Sequence, residues 1–234
     1  MTPPEADAGR RFDPGVKSRL THHDLGRFPG DTLFDRIARA VCRAGCLPRK
    51  ELYEAWEVAR RVRRVFRGGR VMDLAGGHGL LAVIMLLLDD SSASAIVVDI
   101  AIPPSASTLA NQFEADWPRL SGRVTFASGP LEDVAIDAGD VVVSSHACGR
   151  LTDVILDRAI AAAARVAVLP CCHDLGGVEG DDLTGWIDGA LAIDIRRAER
   201  LRANGYRVRT QTIPDSITPK NRLLLGSRSS TAPR

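Results

Sequence analysis

The sequence predicts a doubly wound α/β fold: a mostly parallel, seven-stranded, Rossmann-like sheet ending in an antiparallel hairpin, with a helical N-terminal extension. Three observations carry this expectation. From residue 70 onward, short β-rich runs alternate with helical segments, the pattern of parallel strands joined by helical crossovers. The first of those runs leads into a glycine-rich turn. The last two strand candidates are separated only by the turn PDSITPKN, so they pair antiparallel.

In chain order, residues 1–30 are rich in Pro, Gly, Asp and Arg, lack periodicity, and are expected to form a flexible arm. Asp31 is the expected N-cap of a first helix. There Leu33, Ile37, Ala40 and Val41 recur at helical spacing, and Gly45 is the stop. Pro48 opens a second helix with Leu52, Trp56, Val58, Val62 and Val65 as its apolar positions, closing at Gly68-Gly69. Residues 31–69 are therefore the helical extension and 70–228 the α/β domain. Within that domain strands are predicted at 70–74, 95–99, 123–127, 140–144, 165–169, 206–213 and 222–227. Helices are predicted at 79–88, 105–116, 152–163 and 182–203. Residues 229–234 are expected to be a disordered tail.

Of the 234 residues, 45% are hydrophobic and 26% charged, which excludes wholesale disorder, a collagen-like repeat and a small disulfide scaffold. The longest apolar stretch, residues 80–88, is far short of the roughly 20 residues that a helix needs to span a bilayer, so no membrane association is expected. The opening MTPPEADAGRR lacks an apolar core, and a cytoplasmic protein with reduced cysteines is the expectation. The net charge of +2 hides an asymmetry: residues 1–70 carry 16 Lys+Arg against 9 Asp+Glu. Such a basic half suits an anionic partner.

The turn after the first strand reads Asp73-Leu74-Ala75-Gly76-Gly77-His78-Gly79, and a helix follows. Glycine between a strand and a helix lets backbone approach a ligand closely. The second strand ends at Asp99, where an acid can hydrogen-bond a ribose diol. The alternative of a dinucleotide site needs G-x-G-x-x-G, which this loop does not read.

Ligands of open parallel sheets lie outside the carboxyl ends of the strands. That edge should collect Ser144-Ser145-His146-Ala147-Cys148-Gly149 after strand four and Pro170-Cys171-Cys172-His173-Asp174 after strand five. It should also collect Thr218-Pro219-Lys220-Asn221 from the hairpin turn. His146 and His173 are candidate bases because imidazole titrates near neutrality. Ser144 and Ser145 could position an acceptor. A Pro170-Cys171 thiolate could serve as nucleophile. Adjacent cysteines without a C-x-x-C pair argue against a metal centre, and cysteine as a small apolar residue remains the plainer reading.

The run D-x-A-G-G-x-G resembles motif I of the S-adenosyl-L-methionine (SAM) methyltransferases, and five βα units plus a terminal hairpin match the class I fold of that superfamily. The resemblance implies SAM as cofactor. It places Asp73 near the methionine end and Ala75, Gly76, Gly77 and Gly79 beneath the nucleoside, with Asp99 on the ribose. Pro130 stands where many members carry an aspartate for the adenine amine, so Glu132 or Asp133 is expected in that role, with Ser144 beside the cofactor. H-A-C-G-x-L-T-D, P-C-C-H and T-P-K-N-R resemble one branch, covering residues 50–228. It contains eukaryotic tRNA 2′-O-methyltransferases of the acceptor stem and related methyltransferase-domain proteins. Those tRNA enzymes read K-H-L-C-G and C-C-H-H, where this chain has Ser145 and Asp174. The resemblance implies an enzyme with His146, His173 and Ser145 at the reacting centre, and with Cys148, Cys172, Asp174, Lys220 and Asn221 lining the acceptor pocket. The acceptor it points to is an RNA nucleotide. Alternatives are a small-molecule or protein methyltransferase, or a degenerate binding module of the same fold.

Arg60, Arg61, Arg63, Arg64, Arg67 and Arg70 crowd into eleven residues. They are candidate phosphate contacts for RNA, with Arg63 and Arg64 foremost. A solvated helix flank paired with Glu54 and Glu57 is the alternative.

Overall fold

The computed structural model describes residues 12–175, 183 and 185–228. Its seven-stranded sheet has the order β3-β2-β1-β4-β5-β7-β6. The strands are β1 (Val71–Leu74), β2 (Ala95–Asp99), β3 (Val124–Ser128), β4 (Val141–Ser144), β5 (Arg165–Val168), β6 (Tyr206–Thr212) and β7 (Arg222–Arg228). All neighbours pair parallel except β7, which runs antiparallel to both β5 and β6. The order reverses between β1 and β4, the place where such sheets open a crevice.

Helices α1 (Leu33–Ala44), α2 (Arg49–Val65), α3 (Leu80–Leu88) and α4 (Ala106–Asp116) cover one face. Helices α5 (Arg150–Ala161) and α6 (Gly189–Ala203) cover the other. Central strands are therefore buried on both sides, so every residue of β1 and β4 is buried, Asp73 and Ser144 included, with no alternation between faces. α3 lies between the sheet and α2, and Leu80 to Leu87 are all buried. Among the described residues, no helix is long and apolar enough to cross a membrane.

The expected strands form within one or two residues of their predicted ends. Four expectations change. The first helix is capped by Thr32, not Asp31: its hydroxyl accepts from Asp35 N at 3.1 Å. α2 stops at Val65 because Phe66 turns extended and is buried. α6 begins at Gly189, capped by the Asp188 carboxylate accepting from Leu191 N. The predicted start of that helix at 182 lies outside the described residues.

The fourth change is the arm. Residues 12–30 pack onto the domain rather than standing apart from it. Leu20 and Phe28 are buried in the core. Leu20 N donates to Leu47 O, Arg49 N to Ser18 O and Lys50 N to Val16 O. These bonds strap the segment across the start of α2. The remainder of the arm, 1–11, and the tail 229–234 lie outside the described residues.

Candidate functional site

The loop from Ala75 to Gly79 is shaped by backbone geometry. Ala75, Gly77 and Gly79 all take left-handed conformations, with φ of 56°, 51° and 75°. Gly76 N donates to Val98 O at 3.2 Å and Gly79 N to Gly76 O at 2.8 Å, closing the turn. A Cβ at Gly76 would stand 2.8 Å from side-chain atoms of Asp73 and Val97, and one at Gly79 2.8 Å from Val97. Those two glycines let the loop lie flat on β1 and β2. Ala75 has no such freedom, and its conformation costs about 1–2 kcal/mol.

Asp73 sits under this loop, 1% exposed. Its Oδ2 accepts from Ala82 N at 3.1 Å, joining β1 to the first turn of α3. Burial pushes its carboxyl up to about 7, the Ala82 amide pulls it back, and the nearby Asp99 charge adds to the rise. Asp73 and Gly79 thus shape the loop from below, and neither faces the cleft lining that Ala75, Gly76, Gly77 and His78 form.

Above the loop is a cleft of ≈ 310 Å³. Ala75, Gly76, Gly77 and His78 form its floor and Asp99 one end, with Ser145, His146 and Cys148 as the wall from β4. Asp99 is half-buried, and its Oδ2 accepts from Gly77 N at 3.0 Å. The His78 Nε2 lies 2.8 Å from Ser105 Oγ, and burial lowers its pKa. His146 is exposed on the wall. Glu51 and Ala55, from the first turns of α2, complete the lining. Glu51 was missed in the sequence because only its neighbours Glu54 and Glu57 stood at pairing distance from the arginines.

The other half of the carboxyl edge is closed. The His173 side chain is 3% exposed, and its Nε2 lies 2.8 Å from Asp194 Oδ1. The same carboxylate takes Arg222 at 2.7 Å and Arg197 at 3.3 Å. Burial alone would raise the Asp194 pKa, but His173 and Arg222 outweigh it and hold it below the usual carboxylate range. His173 does not line the cleft: α6 presents Asp194 to its Nε2, and the enclosed ring hydrogen-bonds there beside the Arg197 and Arg222 ion pairs.

Several further expectations change for a positional reason. Ser144 is buried, one residue short of the cleft wall. Glu132 and Asp133 are exposed on the 3-10 turn Leu131–Asp133, outside the cleft lining. Asp174 is exposed beside Gly149. Lys220 and Asn221 lie in the hairpin turn before β7, two strand spacings, roughly 10 Å, from the β4 wall of the cleft and outside its lining. Cys172 stays close to the wall, its backbone bridged to Cys148.

The arginine run is mostly occupied. Arg63 is 2% exposed, ion-paired to Asp89 at 3.1 Å and bonded to Met85 O and Ser92 Oγ. It is a core residue, not an RNA contact; α2 turns that position toward α3. Arg60 and Arg61 pair with Glu57, and Arg70 pairs with Asp137 and Asp140. Arg64 is exposed. A separate groove of ≈ 350 Å³, at the amino end of the parallel strands, is lined by Arg67, Arg165, Arg207 and Arg209. The β6 arginines had no place in the sequence reading, although their alternation, Arg207 and Arg209 on one face, signals it.

A family model described as a methyltransferase domain matches residues 50–175. No curated protein matches the chain. Among solved structures, the chain resembles an O-methyltransferase family protein from Burkholderia thailandensis, with 22% identity and a TM-score of 0.54, over 92% of this chain and 65% of that one. It also resembles the apo form of the S-adenosylmethionine-dependent methyltransferase SibL, with 21% identity and a TM-score of 0.50, over 92% of this chain and 66% of that one. Both likenesses are of fold. The chain spans just under two thirds of the length of each.

Proposed function

We propose that this chain, which belongs to the methyltransferase-domain family, transfers a methyl group from SAM to an acceptor held against Ser145, His146 and Cys148. The observation that carries this reading is the cleft itself, an open glycine floor ending in a half-buried carboxylate at the tip of the second strand.

The residues present fit the cofactor. The free oxygen of Asp99 suits a ribose diol, and the exposed backbone of Gly76 and Gly77 suits a flat nucleoside. Glu51 brings a carboxylate to a ligand whose sulfonium and ammonium are both cationic. When bound, SAM supplies an electrophilic methyl group. His146, exposed on the wall, takes the proton that an oxygen or nitrogen acceptor must lose. Ser145, 5% exposed, orients that acceptor.

For the acceptor, we propose an RNA nucleotide, as the HACG and CCH motifs imply. Support comes from Arg207 and Arg209 on the groove rather than from Arg63; Arg165 beside them is bonded to backbone carbonyls and Arg67 to Leu88 O. The groove and the cleft lie at opposite ends of the strands. An RNA acceptor is long enough to touch both across the four- to five-residue parallel strands. The five cysteines are free, in keeping with a reducing, cytoplasmic setting.

Calorimetric titration with SAM and S-adenosylhomocysteine tests the cofactor. We expect one site per chain, weakened about 10- to 100-fold in Asp99→Ala. Folded protein that binds neither compound would overturn the reading. Transfer of labelled methyl to total RNA, reduced in Arg207→Glu/Arg209→Glu, tests the acceptor.

A further inference from the structure

Three thiols meet on the carboxyl edge. Cys148 follows β4, and Cys171 and Cys172 follow β5. The two segments are pinned together by Gly149 N donating to Cys172 O at 3.2 Å and by a backbone bridge between Cys148 and Cys172. All three Sγ atoms lie within 4.8 Å of one another, and those of Cys148 and Cys171 are 2.9 Å apart. Adjacent residues in a strand point to opposite faces. Cys171 and Cys172 escape that rule because β5 ends at Val168 and the chain is irregular where they stand.

Core packing does not account for this cluster. Cys148 and Cys172 are exposed and Cys171 is half-buried. The separations suit a soft cation instead. Zinc–thiolate bonds of about 2.3 Å in a tetrahedral site put the sulfurs roughly 3.8 Å apart, inside the observed range. Small χ1 adjustments would equalise the three distances.

We propose that Cys148, Cys171 and Cys172 bind one thiophilic divalent cation, of the zinc type, as three thiolates. Each thiol gives up its proton to solvent as its sulfur joins the metal. Among the described residues, no His, Asp or Glu donor joins the three sulfurs at that distance. The fourth position therefore falls to water or another non-protein donor, the arrangement of open rather than closed zinc sites. Cys148 also lines the cleft, so the cation borders the place where the acceptor must sit. Only this last placement rests on the methyltransferase reading; metal binding does not.

Cobalt(II) is the probe, added to the reduced, metal-free full chain. We expect one cobalt per chain, intense sulfur-to-cobalt charge-transfer absorption, and displacement by zinc. Cys148→Ser, Cys171→Ser and Cys172→Ser should each weaken binding roughly tenfold or more, while Cys46→Ser retains it. Absence of the charge-transfer bands in folded protein would overturn the proposal. So would bands that survive Cys171→Ser or vanish equally in Cys46→Ser. Far-UV circular dichroism and thermal melting of the same variants report whether they fold, and S-adenosylhomocysteine titration of the unsubstituted protein reports on the cofactor separately. Intact cobalt bands with no cofactor binding would support the metal site and strike the methyltransferase reading alone.

Discussion

The two halves of the carboxyl edge use the same kinds of residue to opposite ends. On the β1–β4 side, His146 is exposed above a cleft whose acid, Asp99, keeps one oxygen open to a ligand. On the β5–β7 side, His173 is buried against Asp194, and that acid is held by two arginines as well. A histidine beside an acid is therefore no signature of catalysis. What separates the halves is exposure: His173 is enclosed, with Nε2 on Asp194 and Nδ1 buried without a partner, whereas His146 and the second oxygen of Asp99 face a cleft that a ligand can enter.

The histidines give the largest contrast. His146→Ala should lower methyl transfer by about 10²- to 10⁴-fold and leave thermal stability unchanged. His173→Gln should lower the melting temperature and leave the pH profile of transfer in place. The reverse pattern, read by label transfer and calorimetric melting, would break the comparison.

Asp194→Ala comes next. It strips the shared partner of His173, Arg197 and Arg222, and Arg197 is 2% exposed. Removing one member of a buried ion pair costs about 3–5 kcal/mol. Denaturant unfolding should show that loss, with cofactor affinity of the folded protein retained.

Asp73 sharpens the comparison through pH. Its carboxyl is raised to about 7 in the folded protein, against about 4 in an unfolded chain. The folded state then holds a proton that the unfolded state has lost. Its contribution to stability is complete below pH 4 and disappears as pH rises toward 7, by up to about 1.4 kcal/mol per pH unit crossed. Asp73→Asn should flatten that slope in the cofactor-free protein. An unchanged slope, measured by melting across this range, would show that Asp73 is already charged beneath the loop.

The smallest effect is at Ala75. Glycine relieves its left-handed φ of 56°, and Ala75→Gly should raise stability by up to about 1 kcal/mol. A loss on unfolding analysis would mean that alanine's methyl group packs into the loop more than its backbone strains it.

Much of this was legible in the residues. β4, with its run of valines, and α3, with nine apolar residues, declare buried elements by composition alone. The glycine loop and Asp99 declare themselves by position. His173 and Arg63 misled because their own segments carry the chemistry of a site. Their partners, Asp194 and Asp89, lie 21 and 26 residues away on other elements, and periodicity says nothing about pairing over such distances. Glu51 and the β6 arginines were overlooked for the converse reason, since neither has local company that marks it.

The sequence by itself determined the strand and helix order, the antiparallel ending and the glycine loop after β1. These follow from local periodicity, glycine geometry and the handed, short connections of α/β chains. Only the tertiary structure decided which polar side chains on that edge remain open. That outcome depends on burial and on partners brought from distant segments, such as Asp194 to His173 and Asp89 to Arg63, which local periodicity does not encode.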